Sequence, residues 1–205
     1  LMSRELILRH PDIRQFTTVW MDSLRGGESM LVNTNKLIRF YDGATGLKTG
    51  STGSAGYCLS ATAEKNGMEL IAVVLKGKTS DERFSDAKSL LNYGFSTWSL
   101  VTVTPDEVLP PVPVTLGVRG TVQPVLTSEN TLLVEKTLAN GLTKEVALAE
   151  SVAAPVYAGD TLGQLTVRDA AGNTVAELPI LAGEDVGHVT FVQMLGRCLA
   201  RGFCM

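Results

Sequence analysis

Long hydrophobic runs are missing from this chain. The longest unbroken apolar stretch is Leu70–Leu75, far short of the ~20 residues a membrane-spanning helix needs. Cysteine and histidine are scarce: three Cys with no Cys-x-x-Cys spacing, and two His, His10 and His188. That excludes a structural zinc site and a disulfide framework. An odd cysteine count also leaves at least one thiol unpaired within the chain. Excess basic charge is absent too. A net charge of −3 and a pI near 5.4 weigh against a dedicated nucleic-acid binder. No signal-peptide pattern precedes the first helix-like stretch, and Leu1 is not an initiator methionine. The 205 residues therefore read as a piece of something longer.

The 44% of hydrophobic residues is enough for folded cores. Charge is unevenly spread. Residues 1–100 carry a net +2, residues 101–185 a net −7, and residues 186–205 a net +2. Three differently built regions are expected. In the first, residues 2–9 read as an amphipathic helix stopped by Pro11. Asn33-Thr34-Asn35 and Tyr41-Asp42-Gly43 read as turns around a short strand, Leu37–Tyr41. Leu47–Ser51 reads as a second strand. Tyr57–Glu64 alternates with period two and places Tyr57, Leu59, Ala61 and Ala63 on one face. Asn66-Gly67 is a hairpin turn into a return strand, Glu69–Lys76. Thr79 and Glu82 have capping-box spacing for a helix with Phe84, Ala87, Leu91 and Phe95 as its stripe and Gly94 as its stop.

Pro105, Pro110, Pro111 and Pro113 mark a linker. Beyond it, Val112, Val114, Leu116 and Val118 alternate, Leu165 and Val167 do the same, and Ala171-Gly172-Asn173 reads as a turn before Val175–Ile180. Short strands with Gly-bearing turns predict a small all-β sandwich. From Gly187 to Met205 an amphipathic helix is expected, opened by His188, with Val192, Leu195 and Leu199 on one face and Arg197 and Arg201 off it. The pattern alone allows a helix lying in a membrane interface or one packed on its own domain. Cys58 is expected in or near the core. Cys198 and Cys204 are too far round a helix to pair comfortably.

The sharpest local signal is Gly46-Leu47-Lys48-Thr49-Gly50. On an edge strand, the Lys48 ammonium sets a positive field beside a nucleophile. The Thr49 hydroxyl can bond a substrate carboxylate, and Gly50 lets an extended peptide approach the backbone. The stretch from Leu31 to Trp98 resembles the second half of the penicillin-binding domain of D-alanyl-D-alanine carboxypeptidases, the low-molecular-mass penicillin-binding proteins. The blocks that carry the resemblance are Leu31-Val-Asn-Thr-Asn-Lys-Leu37, Gly46-Leu-Lys-Thr-Gly-Ser-Thr52, Ala55-Gly-Tyr57 and Arg83-Phe-Ser-Asp-Ala-Lys-Ser-Leu-Leu-Asn-Tyr-Gly-Phe95. The all-β region and the tail then look like that family's C-terminal domain and membrane-associating helix.

The resemblance implies an α+β fold. Residues 1–104 are expected to be part of a penicillin-binding, β-lactamase-like domain, with an antiparallel sheet plus helices. Residues 105–185 are expected to be an all-β domain and 186–205 a membrane-associating amphipathic helix. It implies Lys48 as a catalytic residue, and Thr49, Gly50, Thr52 and Arg83 as substrate-binding residues, Arg83 for the free terminal carboxylate. Where Ser51 stands the family often has His or Tyr. The implied substrate is a peptidoglycan stem peptide ending in D-Ala-D-Ala. β-Lactams are expected to acylate the parent protein. No metal, organic cofactor or nucleic acid is implied, and the compartment is the outer face of the cytoplasmic membrane.

The family's Ser-x-x-Lys and Ser-x-Asn motifs precede its Lys-Thr-Gly. Ser85-Asp86-Ala87-Lys88 and Ser128-Glu129-Asn130 match those patterns but follow the triplet and fall in different regions, so neither is expected to be catalytic. The nucleophile is expected upstream, and this chain alone is expected to be inactive. The alternative is a non-catalytic penicillin-binding homologue or a membrane-proximal support module. A serine β-lactamase would share the triplet but not explain the β region and tail. A sheet deprived of partner elements should expose apolar surface, with dimerisation, strand exchange or partial disorder around residues 1–45.

Overall fold

A computed structural model describes residues 1–202. They divide into two compact units, Leu1–Leu100 and Val101–Met205. The first begins with α1 (Met2–Arg9) and α2 (Arg14–Thr17), then a two-stranded ribbon of β1 (Met21–Leu24) and β2 (Ser29–Val32), then a single turn, α3 (Leu37–Phe40). An antiparallel sheet follows, β3 (Ala44–Thr52), β4 (Gly56–Lys65) and β5 (Met68–Gly77) in that spatial order. The helix α4 (Ser80–Thr97) covers one face, and β6 (Trp98–Thr102) crosses the division between the units.

Local chemistry sets these elements. Asn66 and Gly67 turn β4 into β5 with φ of +52° and +76°, the left-handed pair that a tight hairpin needs. Thr79 Oγ1 accepts the Glu82 N–H at 3.1 Å to start α4. The Glu82 carboxylate reaches back to the Lys78 N–H at 2.7 Å, one residue before the expected cap position. Phe84, Ala87 and Leu91 then bury against Leu59, Ala61, Ala63, Ala72 and Val74, with Phe95 partly buried beside them. Truncating a core leucine such as Leu91 costs roughly 2–5 kcal/mol.

Several expectations are corrected. Residues 37–40 form a helical turn, with Tyr41 its extended cap, and not a strand. Asn35, only 2% exposed, accepts the Leu37 N–H through Oδ1 at 3.2 Å, which favours a helical turn there. Gly94 does not stop α4, which runs three residues further. A Cβ at Gly94 would lie 2.5 Å from Leu70 Cδ1, so this glycine serves close helix–sheet packing. Tyr57 is at the exposed end of its face, whereas Leu59, Ala61 and Ala63 are buried. Cys58 is half-buried, and its thiol donates to the Ala55 carbonyl at 3.4 Å.

Arg14 ties α2 to the sheet. Its Nη1 donates to Glu64 at 2.7 Å and Nη2 to Glu69 at 2.5 Å. Glu64 and Glu69 are directly opposed across β4 and β5, a like-charge pair that the guanidinium neutralises. Burial alone would lower the Arg14 pKa. Hydrogen bonding and charge from Glu69, then Glu64, outweigh it and hold the value above the usual one.

In the second unit the chain forms β7 (Val112–Thr115), β8 (Thr121–Val122), β9 (Pro124–Leu126), β10 (Thr131–Glu135), the turn α5 (Lys136–Ala139), β11 (Thr143–Leu148), β12 (Val152–Ala153), β13 (Thr161–Arg168), β14 (Thr174–Ala182) and α6 (Phe191–Gly202). One sheet has the order β11-β13-β14-β9 and another β12-β7-β8. Val112, Val114 and Val122 of the second share a core with Leu162 and Ala182 of the first. The two sheets thus face each other as a sandwich. The alternation after Val112 ends at Thr115, and Pro113 sits within β7, not in a linker. Leu116 takes φ +57° and turns the chain.

His188 does not open the tail helix. It bridges to Gly117 as an isolated β-pair, and Thr190 with Gln193 forms the reciprocal cap before α6. Arg197 fastens α6 by donating to the Gly117 and Val118 carbonyls at 3.0 and 2.6 Å. Phe191 and Val192 remain 80% and 77% exposed, and Leu195 and Leu199 are exposed as well. Cys204 lies outside the described residues, as do the side chains of Cys198 and Arg201.

Arg14→Ala should lower stability by about 1–2 kcal/mol in urea unfolding, because it leaves two opposed carboxylates unneutralised. Adding Glu64→Gln to Arg14→Ala should recover part of the loss. Stability equal to wild type in Arg14→Ala would remove this bridge from the account of the fold. In the β13–β14 turn, Asp169 accepts from Asn173 Nδ2 at 3.0 Å, and from the Asn173 and Ala171 N–H groups at 2.9 Å each. These bonds, the Asn173 side chain first, hold its pKa below the usual value of about 3.8. A carboxylate with a depressed folded pKa stabilises the turn above the unfolded value and loses that contribution as pH falls through the folded one. The Ala171 and Asn173 amide shifts should therefore titrate together below pH 3.8, and Asp169→Asn should abolish that transition.

Candidate functional site

The Lys48-Thr49-Gly50 triplet lies on β3, an edge strand of the first unit's sheet. Two groups hold the start of that strand from outside. Thr17 Oγ1 donates to the Thr45 carbonyl at 2.6 Å, and Asn35 Nδ2 donates to the Gly46 carbonyl at 2.8 Å. Beyond them the strand is uncovered. Lys48 is exposed, and its ammonium donates to the Thr49 carbonyl. A Cβ on Gly50 would meet nothing within 4 Å, so the backbone there is open to an approaching chain. Thr49 is 8% exposed, and its hydroxyl lies 2.7 Å from that of Thr34.

Arg83 is brought to the same strand from α4. Its Nη1 donates to the Gly50 carbonyl at 3.3 Å and to the Cys58 carbonyl at 3.2 Å. Nη2 donates to Ser80 Oγ at 3.3 Å. The guanidinium carbon lies 5.4 Å from the Tyr57 ring centroid and 4.8 Å from that of Phe84. The residue is 7% exposed, and Nε is buried without a hydrogen-bond partner. Among the described residues no carboxylate pairs with it. A surface ion pair at a helix start is therefore not what Arg83 forms.

The other candidates are placed differently. Thr52 is exposed at the end of β3, where its hydroxyl accepts the Ala55 N–H at 3.0 Å. It serves the β3–β4 turn, where its side chain meets Ser54 and Ala55. Ser85 points outward from α4. Asn130 lies in the second unit, where its side chain donates to the Val103 carbonyl at 2.9 Å. The two chance-like motifs thus fall in separate units. Thr34, Asn35 and Tyr57 are the residues that sequence reasoning missed. Asn33-Thr34-Asn35 signalled a turn, but nothing local told that its side chains address a strand ten residues on.

On the sheet face away from α4, a cavity of about 580 Å³ lies between α1 and the strands. Met2, Leu6, Leu47, Val73 and Leu75 make it largely apolar, and Lys48 lines it too. Ser3 and Ser60 hydroxyls meet across the α1–β4 contact at 2.8 Å. No cluster of metal-ligating side chains occurs among the described residues, and none of their helices is long and apolar enough to cross a membrane.

Residues 1–79 match the D-alanyl-D-alanine carboxypeptidase family, and residues 101–188 match the penicillin-binding protein 5 C-terminal domain. The chain is 33% identical over 204 residues to D-alanyl-D-alanine carboxypeptidase DacF of Bacillus subtilis, covering 97% of this chain and 52% of that protein. It is 30% identical over 143 residues to DacC of Escherichia coli, covering 69% and 36%. The crystal structure of penicillin-binding protein 5 from Haemophilus influenzae shares the fold, with a TM-score of 0.71 at 23% identity, over 91% of this chain and 54% of that one. The chain spans about half the length of the first of these curated relatives and about a third of the second. Its two matched segments thus resemble the D-alanyl-D-alanine carboxypeptidases, the low-molecular-mass penicillin-binding proteins, and their C-terminal domain.

Proposed function

We propose that these residues form the substrate-recognition half of a serine-type D-Ala-D-Ala carboxypeptidase, which trims the terminal D-alanine from peptidoglycan stem peptides. One observation carries the reading. Arg83 is a buried cation with an unsatisfied Nε and no counter-charge. It also stands in the first turns of α4, where the helix dipole disfavours positive charge. Burial and position both cost stability, and the neutral oxygens and rings around the guanidinium offset that only in part, with no opposite charge beside it. A substrate carboxylate would offset both, since the guanidinium fork matches its geometry.

The neighbouring groups fit that role. A peptide laid along the open edge at Gly50 would add as a strand to β3. The Thr49 hydroxyl would donate to the terminal carboxylate. The Lys48 ammonium would hold positive charge beside the nucleophile. That nucleophile is a serine from outside these residues, and the apolar cavity beside Lys48 offers a seat for the segment that bears it. Its Oγ would attack the penultimate D-alanine carbonyl, terminal D-alanine would leave with a proton, and water would hydrolyse the ester. β-Lactams would acylate the same serine. This mechanism calls for no metal or organic cofactor. Thr52, bonded into its turn, is the weakest member of the set.

The location follows from substrate and tail. Peptidoglycan lies outside the cytoplasm, and α6 would hold the protein on the outer face of the cytoplasmic membrane. Its exposed Phe191, Val192, Leu195 and Leu199 suit burial at a lipid interface. Without the rest of the parent, exposed Val73 and Leu75 on edge strand β5 would favour pairing with a second copy.

Intact mass after incubation with benzylpenicillin tests the catalytic reading. An acyl adduct is expected on the longer parent and not on this chain. In the parent, Arg83→Gln should raise KM for a D-Ala-D-Ala peptide by roughly 10–100-fold. No adduct on the parent would favour a non-catalytic homologue, and an adduct on this chain would reinstate Ser85. For the tail, the chain should co-sediment with vesicles of phosphatidylglycerol and phosphatidylethanolamine, and Leu195→Asp should cut the bound fraction severalfold. Equal binding by Leu195→Asp would end the membrane role of α6.

A further inference from the structure

Thr49 and Thr34 form a hydroxyl pair at 2.7 Å. Each hydroxyl has one proton and two lone pairs, so one of the two must donate to the other. Neither Oγ1 has another hydrogen bond among the described residues. If Thr49 donates to Thr34, it presents only lone pairs outward and repels an anion. If Thr34 donates, the Thr49 proton is released toward the anion. A carboxylate at the site selects the second order, and a donor chain of this kind strengthens along its length.

The position of Thr34 is not accidental. It sits between Asn33 and Asn35, in a turn closed by Asn33 Oδ1 accepting the Asn35 N–H at 2.9 Å. Asn35 is 2% exposed and clamps the turn to Gly46 through Nδ2 and to Leu37 through Oδ1. Asn33 Nδ2 adds a bond to the Val19 carbonyl at 2.9 Å. The turn is therefore fixed against the strand that carries Thr49, with Thr34 on its exposed side.

We propose that Thr34 is a positioning residue: its hydroxyl donates to Thr49 and aims the Thr49 proton at the substrate carboxylate. The claim rests on the carboxypeptidase reading for its substrate, but not for its geometry. The test uses Thr34→Val and Thr34→Ser. In the parent, Thr34→Val should raise KM for a D-Ala-D-Ala peptide about tenfold, with kcat changed far less and the melting temperature kept. Thr34→Ser should restore the KM, because it keeps the donor. In this chain, three-bond couplings should show one χ1 rotamer for Thr49 and averaging in Thr34→Val. A wild-type KM in Thr34→Val, equal losses in both variants, or an unaltered Thr49 rotamer would each overturn the assignment. An unacylated, inactive parent would instead defeat the carboxypeptidase reading, and the Thr49 couplings would still decide the role of Thr34.

Discussion

A cation buried without a counter-charge is the constraint around which the first unit is built. Removing an arginine from water costs several kcal/mol unless its protons are used. Arg83 uses its Nη protons on three neutral oxygens, those of Gly50, Cys58 and Ser80. It therefore needs β3, β4 and the start of α4 in fixed relation. That relation comes from the apolar contact of α4 with the sheet, centred on Phe84, Ala87 and Leu91. Gly94 lets the far end of α4 close onto Leu70. The aromatic rings of Tyr57 and Phe84 flank the guanidinium and add a favourable electrostatic contact. What the protein leaves unmet is the charge itself, which is what the carboxylate of the proposed substrate would supply.

A second set of polar groups fixes the start of β3, the strand that the proposed substrate would follow. Asn35 spends both ends of its amide on backbone, one on Gly46 and one on Leu37. A buried amide so satisfied specifies one arrangement, since leaving either end unpaired costs roughly 1–3 kcal/mol. The Arg14 bridge to Glu64 and Glu69 does comparable work at the same end of the sheet, beside the start of β3. Beyond these anchors, Thr34 meets Thr49 through its hydroxyl and Arg83 reaches the Gly50 carbonyl. Rigidity thus lies at the start of β3, ahead of Lys48 to Gly50.

Much of this was legible in the sequence, for reasons that differ by element. The β4–β5 hairpin was readable because Asn66-Gly67 encodes its turn locally. The α4 stripe was readable because helical periodicity is local too. Residues 37–41 were misread, since their helical turn depends on Asn35, whose bond to Gly46 is non-local. Gly94 looked like a stop because a glycine near a helix end usually is one; its partner Leu70 lies on β5, under the helix. The site was legible as residue types, Lys48, Thr49, Gly50 and Arg83, through resemblance. Its geometry was not. No pattern in the chain says that Arg83 lacks a counter-charge or that Thr34 faces Thr49.

Edge strands are ordinarily guarded, because unpaired backbone invites association. Here β3 is guarded only over its first half, by Thr17 and Asn35. The second half carries a glycine where any side chain would have fitted without a clash. Space alone thus does not demand Gly50. A side chain there would instead shield the edge, and its absence lowers stability slightly through backbone entropy. An unguarded edge, a glycine not required by packing, and an unpaired buried cation converge on one stretch of β3. Each is a small cost to the free protein, and each would be offset by the same event under the proposed function, an extended chain with a terminal carboxylate lying along that edge.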